Sequence, residues 1–360
     1  MKQTALHQKY LKAKIKMADF QGCQTPLAFS DVPAEYNAAR YAAGLFDISY
    51  LGRIEITGTG ASALLQKVLT RNTTKITIGT AHAGLICNES GVILDSLLIF
   101  HLSANRYLLT TQAVNTDKVL LWLKQHAADD VRISDTTESV AQFALQGPHA
   151  FRVVEKLMGD AGFTRMKPRA VREVTIQGTT LLISRTGITG GHGCEFFVPA
   201  DRAETVWDAI ISHGSEEGLL PCGLTCRDTL RIEMGYLLYG NDLDETRTPF
   251  ESGLAALLDF KKDFIGKEAL LKLQAEGLKQ KLAGFVLLDK GVPKNGGSIF
   301  CDSREIGVVT SGVQSFHKRS GIGLGYVLIR YAQSGQEIEI EVRDKEITAR
   351  IVDLPFLKRR

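Results

Sequence analysis

The stretch that decides the fold runs from Asn88 to Phe100 and reads NESGVILDSLLIF. Asn88–Gly91 carries turn residues, and the nine residues after it are apolar on both faces apart from Asp95 and Ser96. Such a run predicts a strand covered on both sides. Burial of an unpaired carboxylate costs on the order of several kcal/mol, so Asp95 must be paired, protonated or open to a ligand cavity. The run predicts a ligand site at Asp95; the alternative is a structural aspartate bonded to a turn or to an arginine.

The residues around this strand predict an α+β unit over residues 51–137. Apolar residues alternate with period two in some segments and recur with helical period in others. Helices are predicted at Ala61–Leu69 and at Asn115–His126, the second capped by Asn115. We expect strands at Arg53–Thr57, Ala81–Cys87, Val92–Phe100, Arg106–Thr111 and Val131–Ile133. This order is typical of a split β-α-β, ferredoxin-like domain.

A second α+β body is predicted from two separate parts of the chain, residues 1–50 and 138–275. The first part reads as a helix, a turn around Gly22 and Pro26, and a helix over Glu35–Ala43. The second part reads as alternating strands and helices, with a helix that opens at Gly147 and Pro148. Its other predicted elements are a strand at Gln142–Gln146, a hairpin over Val171–Arg185, and helices at Ala203–His213, Leu224–Met234 and 262–275.

The C-terminal segment, residues 276–360, is almost entirely strand and turn. Six short strands without a helix predict a small β-barrel or jelly-roll domain. The strands are expected at Leu282–Leu288, Gly297–Cys301, Ile306–Ser311, Gly323–Leu328 and Glu337–Asp353, the last one broken into two at residues 343–345.

Bulk composition narrows the class of protein. A chain of 360 residues, 44% hydrophobic and 23% charged, is too long for one core and has ordinary globular composition. The net charge of +3 gives nucleic-acid binding no support, and we interpret the closing Lys358, Arg359 and Arg360 as a solvated tail. No apolar run is long enough to span a membrane.

The six cysteines and the absent motifs exclude several chemistries. The cysteines are scattered without CxxC pairs, which favours a reducing cytoplasm, and we interpret Cys222 and Cys226 as buried structural thiols. His192 stands alone in a loop, so no metal site is predicted. The chain lacks GxGxxG after a strand, GxxxxGK[ST], GxSxG and HExxH, so dinucleotide cofactors, nucleoside triphosphates and hydrolase triads have no support.

Two further places carry unusual charge. Arg227 and Arg231 are four residues apart in a predicted helix, where like charges repel unless an anion lies beside them. A ligand carboxylate suits this pair, since guanidinium groups bind carboxylates at two points. For Arg231, internal pairing with Asp228, Glu233, Asp242 or Asp244 is at least as good an explanation.

Glu195 follows a glycine- and threonine-rich turn over residues 186–193. Glycines let a backbone approach a flat ligand closely. A carboxylate at the start of the next strand has the acceptors to bind the amino and ring N–H groups of a pterin.

In chain order, these segments resemble one family over nearly the whole sequence, the glycine cleavage T-protein (aminomethyltransferase) family. The strand bearing Asp95 resembles the family strand with the essential aspartate. The most specific matches lie at Tyr239–Thr246 and Phe264–Leu270. Further matches lie at 17–22, 42–49, 146–148, 185–190, 227–231 and 310–312.

The resemblance implies a three-domain cloverleaf with tetrahydrofolate at its centre. It implies that Asp95 lies near the reactive folate nitrogens, that Glu195 holds the pterin edge, and that Arg227 and Tyr236 help to bind the cofactor. The implied reaction transfers a one-carbon unit from the aminomethyl-lipoyl arm of the H-protein to tetrahydrofolate and releases ammonia. A fixed carboxylate stabilises the cationic character that develops as ammonia leaves.

The chain departs from the family pattern at several positions. It has Tyr50 where the family usually has His, Ser96 for a second Asp, and Ala83 and Ile188 for tyrosines. A reshaped pocket leaves a folate-dependent demethylase of a small methylated substrate as an alternative. A folate-binding iron–sulfur assembly factor is a second alternative, because that related group has the same scaffold. The factor's Lys-Gly-Cys-Tyr-x-Gly-Gln-Glu motif is absent here, where residues 239–245 stand instead.

Overall fold

The computed structural model describes residues 1–159 and 162–357, so the predicted tail Lys358–Arg360 lies outside the described residues. The chain divides into two compact units. The first comprises residues 1–84 and 95–227, and the second comprises residues 85–94 and the chain from 228 onwards. The predicted division into domains 1–50 with 138–275, 51–137 and 276–360 stays a prediction.

Strands and helices are numbered in chain order, and β6, β7 and α7 run across the boundary between the units. The strands up to residue 227 are β1 (Lys2–Gln3), β2 (Lys16–Phe20), β3 (Cys23–Ala28), β4 (Ala43–Asp47), β5 (Gly52–Thr57), β6 (Thr80–Cys87), β7 (Ile93–Ser103), β8 (Arg106–Thr111), β9 (Arg132–Asp135), β10 (Val140–Gln146), β11 (Val171–Ile176), β12 (Thr179–Ser184), β13 (Gly193–Pro199) and β14 (Leu219–Cys222). The helices are α1 (His7–Lys12), α2 (Val32–Tyr41), α3 (Ala61–Val68), α4 (Thr116–His126), α5 (Ala150–Met158), α6 (Ala203–Gly214) and α7 (Leu224–Glu233).

A six-stranded mixed sheet forms the main body of the first unit. Its strand order is β11-β12-β13-β10-β4-β14, with β14 parallel to β4 and the other neighbours antiparallel. Apolar side chains of α5 and α6 pack with one face of this sheet in a core that contains Phe143, Phe196 and Trp207. The central strands β10 and β13 are buried along almost their whole length. Polar side chains on these strands therefore need a specific partner.

The five-stranded sheet contains the split β-α-β unit predicted from the sequence. Its order is β6-β7-β8-β5-β9, and both β8 and β9 run antiparallel to β5. Helix α4 therefore connects two parallel strands with β5 between them. The prediction that both faces of the Asp95 strand are covered is also confirmed, because most residues of β7 are buried.

The N-terminal segment forms a small three-stranded sheet of order β1-β3-β2. The predicted turn is at Gln21 and Gly22, which have left-handed φ angles of 52° and 82°. The prediction that Pro26 belongs to this turn is wrong, since Pro26 lies inside β3. Proline is accepted there because β1 pairs only with Cys23 and Gln24, which leaves the next residues of β3 without a partner on that side.

The second unit contains helix α8 and the C-terminal strands. Helix α8 (Lys267–Glu276) begins later than predicted, because Gly266 before it has a left-handed φ of 89° that ends any earlier helical turn. The six strands close into a barrel of order β15-β18-β17-β16-β19-β20, so the barrel alternative is confirmed over the jelly roll. They are β15 (Gln280–Leu287), β16 (Ser298–Cys301), β17 (Arg304–Ser315), β18 (Ser320–Leu328), β19 (Glu337–Glu341) and β20 (Glu346–Val352).

Candidate active site

Asp95 lies on β7 with its side chain fully buried. Its Oδ1 accepts a hydrogen bond of 2.8 Å from the Asn115 side-chain amide, and its Oδ2 accepts one of 3.2 Å from the Gln112 backbone N–H. Within residues 1–159 and 162–357 it forms no ion pair, although the charge of Lys118 acts to lower its pKa. Asp95 is thus bonded to the turn that precedes α4, as the structural alternative supposed, and none of the described arginines bonds to it.

Burial controls the ionisation of this carboxyl group. Desolvation raises the pKa of Asp95 to about 7, although the donors from Asn115, Gln112 and the Ser96 backbone favour the charged form. Neutral donors replace only part of the hydration that burial removes. Asp95 therefore changes its charge near neutral pH, in the range that suits proton transfer.

Asn115 has a different role from the one predicted. It is the N-cap residue of α4, but its side chain makes no capping hydrogen bond. Its amide donates to Asp95 instead. The sequence signal for a helix cap was correct in position, but the Asn115 amide nitrogen donates to the buried carboxylate while its side-chain oxygen makes no capping bond.

Glu195 lies on β13 and is buried, with 1% of its surface exposed. Its Oε2 accepts a hydrogen bond of 2.7 Å from the Gln142 side-chain amide, while its Oε1 has no hydrogen-bond partner among the described residues. Burial raises the pKa of Glu195, and the Thr186 hydroxyl and the Gln142 amide oppose the shift. One carboxylate oxygen therefore remains available to a ligand donor.

The glycine-rich loop before Glu195 is held by the buried side chain of Gln146. Its Oε1 accepts hydrogen bonds from the Ile188 backbone at 3.2 Å and the Thr189 hydroxyl at 2.9 Å. A Cβ at Gly187 or Gly193 would come within 2.3 Å of this side chain. Glycine at these two positions is therefore required by the close approach of Gln146.

Arg227, on α7, lies over two aromatic rings. Its guanidinium carbon lies 5.6 Å from the centroid of the Phe20 ring and 5.9 Å from that of the Tyr50 ring. Its Nε and Nη1 atoms are buried and make no hydrogen bond to any residue that the structure describes. Cation–π attraction holds the charge in place. Unlike hydrogen bonds, it leaves these two donors available to a ligand.

Arg231 lies one helical turn further on and belongs to a closed network in the second unit. Its side chain donates to Asp228 at 2.7 Å, to Asp242 at 2.6 Å and to the Ser311 hydroxyl at 2.8 Å. Burial acts to lower the pKa of Arg231, yet Asp242 and Asp228 raise it above its ordinary value. The internal-pairing alternative therefore explains Arg231.

Tyr236 lies just after α7 in the second unit and is half-buried. Its backbone N–H donates to the Arg231 carbonyl at 2.8 Å, and its own carbonyl accepts from the Arg231 side chain at 3.1 Å. The loop that carries Tyr236 is thus fixed by the Arg231 network.

The four residues singled out from the sequence are distributed over both units. Asp95, Glu195 and Arg227 lie in the first unit and Tyr236 in the second. Within the described residues, no hydrogen bond or ion pair joins Asp95, Glu195 and Arg227 to one another. Sequence reasoning missed Gln142, although a glutamine in an otherwise apolar central strand is a usable signal.

One cluster has the composition of a metal site. The ligand atoms of Glu35, Cys222 and Cys226 lie within 4.8 Å of one another. However, Glu35 accepts backbone N–H groups from Phe29 and Ser30 on one oxygen and from Gly223 on the other. The carboxylate is thus used to fix the chain, in agreement with the interpretation of both cysteines as structural.

Within residues 1–159 and 162–357, no helix has the length and apolarity to cross a membrane.

Comparison with known proteins identifies the family. The family model described as the GCVT N-terminal domain matches residues 6–262, and that of the glycine cleavage T-protein C-terminal barrel domain matches residues 280–358. The chain is 39% identical over 362 residues to an aminomethyltransferase of Bacillus subtilis, with 100% of both chains covered. It is 40% identical to one of Geobacillus thermodenitrificans, covering 100% of this chain and 99% of the relative.

A solved structure gives the same result. The glycine cleavage system aminomethyltransferase T from Bartonella henselae superposes with a TM-score of 0.91 at 28% identity, covering 99% of this chain and 98% of that one. The α+β fold with a closed C-terminal barrel is therefore of the T-protein type. The chain belongs to the glycine cleavage T-protein family of enzymes, the aminomethyltransferases.

Proposed function

We propose that this enzyme transfers the one-carbon unit of an aminomethyl group, carried on the lipoyl arm of an H-protein, to tetrahydrofolate with release of ammonia. The observation that carries the proposal is Asp95, a fully buried carboxylate whose hydrogen-bond donors among the described residues are neutral groups. Relatives named aminomethyltransferase favour this activity over the demethylase and iron–sulfur alternatives. A cytoplasmic location belongs to the same proposal and agrees with six buried free thiols.

The buried polar atoms fit a reduced folate. A pterin has N–H donors along one edge, and Glu195 Oε1 is a buried acceptor without a partner. A folate also has a glutamate tail with carboxylates, and Arg227 has two buried donors without a partner. Tyr236, on the loop fixed by Arg231, is the fourth proposed contact.

Tetrahydrofolate supplies the nitrogens that take up the one-carbon unit. The role of the chain is to bind, to orient and to hold charge. Glu195 would hold the pterin edge and Arg227 would bind a carboxylate of the folate, and Asp95 would present a negative charge that stabilises positive charge as ammonia leaves. Because its pKa is about 7, Asp95 is also suited to hold a proton during this step.

Reconstitution tests the proposal. Purified enzyme, aminomethyl-loaded H-protein and tetrahydrofolate should release ammonia at a rate that depends on all three components. Asp95→Asn keeps the shape and the hydrogen bond from Gln112 but removes the negative charge. We expect its turnover to fall by about 100-fold or more, as for the loss of a group that stabilises transition-state charge, while tetrahydrofolate still binds. Folate-independent ammonia release, or full turnover of Asp95→Asn, would reject the proposal.

A further inference from the structure

Gln142 and Glu195 present two buried acceptors without partners. The Gln142 amide nitrogen donates to Glu195 Oε2 at 2.7 Å. This leaves Gln142 Oε1 and Glu195 Oε1, which are both buried and make no hydrogen bond within residues 1–159 and 162–357. Gln142 is 0% and Glu195 1% exposed. An isolated buried acceptor costs free energy, so two on linked side chains require an explanation.

The sheet fixes both side chains on the same face. Gln142 of β10 pairs directly with Phe197 of β13, and Glu195 lies two residues from Phe197, so both side chains point to one side. The backbone of Gln142 is held by Ser49, whose hydroxyl bonds to its N–H at 2.9 Å and to its carbonyl at 3.2 Å. The position of Gln142 is therefore set independently of its side chain.

A glutamine is not needed here for packing. The neighbouring residues of β10, Ala141, Phe143, Ala144 and Leu145, are apolar and buried. An apolar residue at position 142 would leave no amide oxygen without a partner, although Glu195 would lose its donor. The side chain thus serves Glu195 and leaves its own oxygen for a further contact.

We propose that Gln142 is a second pterin ligand, whose Oε1 acts with Glu195 Oε1 to recognise the adjacent N3–H and 2-amino groups of the folate ring. The inference rests on the proposed function, since it needs a folate in this site. Glu195 Oε2 is already occupied by the Gln142 amide, so Glu195 has one free oxygen and Gln142 provides the other. The pair selects ligands with two neighbouring N–H donors and so determines specificity for 2-amino pterins.

The experiment compares two ligands on two proteins. Anaerobic calorimetry measures the binding of tetrahydrofolate and of its 2-desamino-2-methyl analogue to the full-length wild type and to Gln142→Leu. The wild type should bind tetrahydrofolate about 10-fold or more tightly than it binds the analogue. The analogue lacks the 2-amino group and therefore loses a hydrogen bond to a charged group. Gln142→Leu should weaken tetrahydrofolate binding by about 10-fold and change the affinity for the analogue by less than about 3-fold. The ratio of the two affinities should therefore be smaller than in the wild type.

A matched control is available on the same strand. Gln146 is also a buried glutamine of β10, but its Oε1 is occupied by the loop over Ile188 and Thr189. Gln146→Leu should weaken both ligands alike and keep the preference of the wild type. Thermal unfolding of each variant verifies that it is folded.

A second variant keeps the test decisive if Gln142→Leu is unstable. Gln142→Glu retains an acceptor but loses the amide donor, so two carboxyl groups share one proton. Its affinity for tetrahydrofolate should rise as the pH falls from 8 to 6, relative to that of the wild type.

Two results would overturn the inference, and they are distinguishable. If wild type and Gln142→Leu bind tetrahydrofolate with the same preference over the analogue, Gln142 has only a structural role or holds a buried water, while the proposed function survives. If the wild type does not bind tetrahydrofolate at all, the proposed function fails and the inference fails with it.

Discussion

Two sets of buried polar residues differ in how completely they are paired within the protein. In the network around Arg231, Asp242 is fully buried and accepts hydrogen bonds from Arg231, the Leu238 backbone, and the hydroxyls of Thr310 and Ser311. In the part of the chain that the structure describes, the hydrogen-bond donors to Asp95 are neutral, and Glu195 and Arg227 of the same unit retain buried polar atoms without a partner. The network around Arg231 is paired within the protein. The other three residues are not fully paired, which is the difference expected between structural use and the ligand-binding use proposed for them.

The largest expected effect is on stability, at Arg231. Arg231→Leu removes the cation that neutralises buried Asp242. Loss of one partner of a buried pair costs about 3–5 kcal/mol, so the free energy of unfolding should fall by this amount in urea denaturation. Replacing both partners, as in Arg231→Leu with Asp242→Leu, should restore part of it. A loss below about 1 kcal/mol in the single variant would show that this network is not the stabilising cluster described here.

Arg227→Leu should behave in the opposite way. Arg227 has two buried donors without a partner, so its replacement leaves no new unpaired charge, and the free energy of unfolding should change by less than about 1 kcal/mol. The affinity for tetrahydrofolate should fall by about 10- to 100-fold, the range of a hydrogen bond to a charged group. Calorimetry and urea denaturation of the same preparation measure both. Loss of stability with unchanged affinity would reverse the assignment of the two arginines.

Removing one of the aromatic rings next to Arg227 should have a smaller effect. Tyr50→Leu removes one of the two rings over Arg227, so tetrahydrofolate affinity should fall by about 3- to 10-fold, as expected for one cation–π contact. Tyr50→Phe keeps the ring and should bind nearly as the wild type does. If the phenylalanine variant binds tetrahydrofolate as weakly as the leucine variant does, the hydroxyl of Tyr50 is the important group and the cation–π contact is not.

The smallest expected change is a shift in pH dependence at Asn115. Asn115→Leu removes a donor that stabilises the charged form of Asp95, so the pKa of Asp95 should rise from about 7 by less than about one unit. Activity that needs the carboxylate is present above this pKa and lost below it. The acidic limb of kcat/KM should therefore move to higher pH in the variant. A limb that moves to lower pH would mean that Asn115 does not donate to the carboxylate.

Most of the fold could be predicted from the sequence, because the patterns that indicate strands and helices are local in sequence. The apolar run around Asp95, the helix through Arg227 and the six C-terminal strands follow from periodicity, and the α+β fold, the family and the enzyme class are confirmed. The roles of Asp95, Glu195, Arg227 and Tyr236 and the domain bounds stay predictions. The choice of partner could not be predicted, since it depends on residues distant in sequence. Asn115 bonds to Asp95 across 20 residues and Gln142 to Glu195 across 53.

Asp95 should ionise near neutral pH because burial outweighs the neutral donors and the charge of Lys118 that favour its ionised form. Infrared difference spectroscopy of the ligand-free wild type against Asp95→Asn measures this directly, since a protonated carboxyl group has its own C=O stretching band. This band should disappear with a midpoint at about pH 7. A band that is already absent at about pH 5, close to where an ordinary aspartate is ionised, would contradict it.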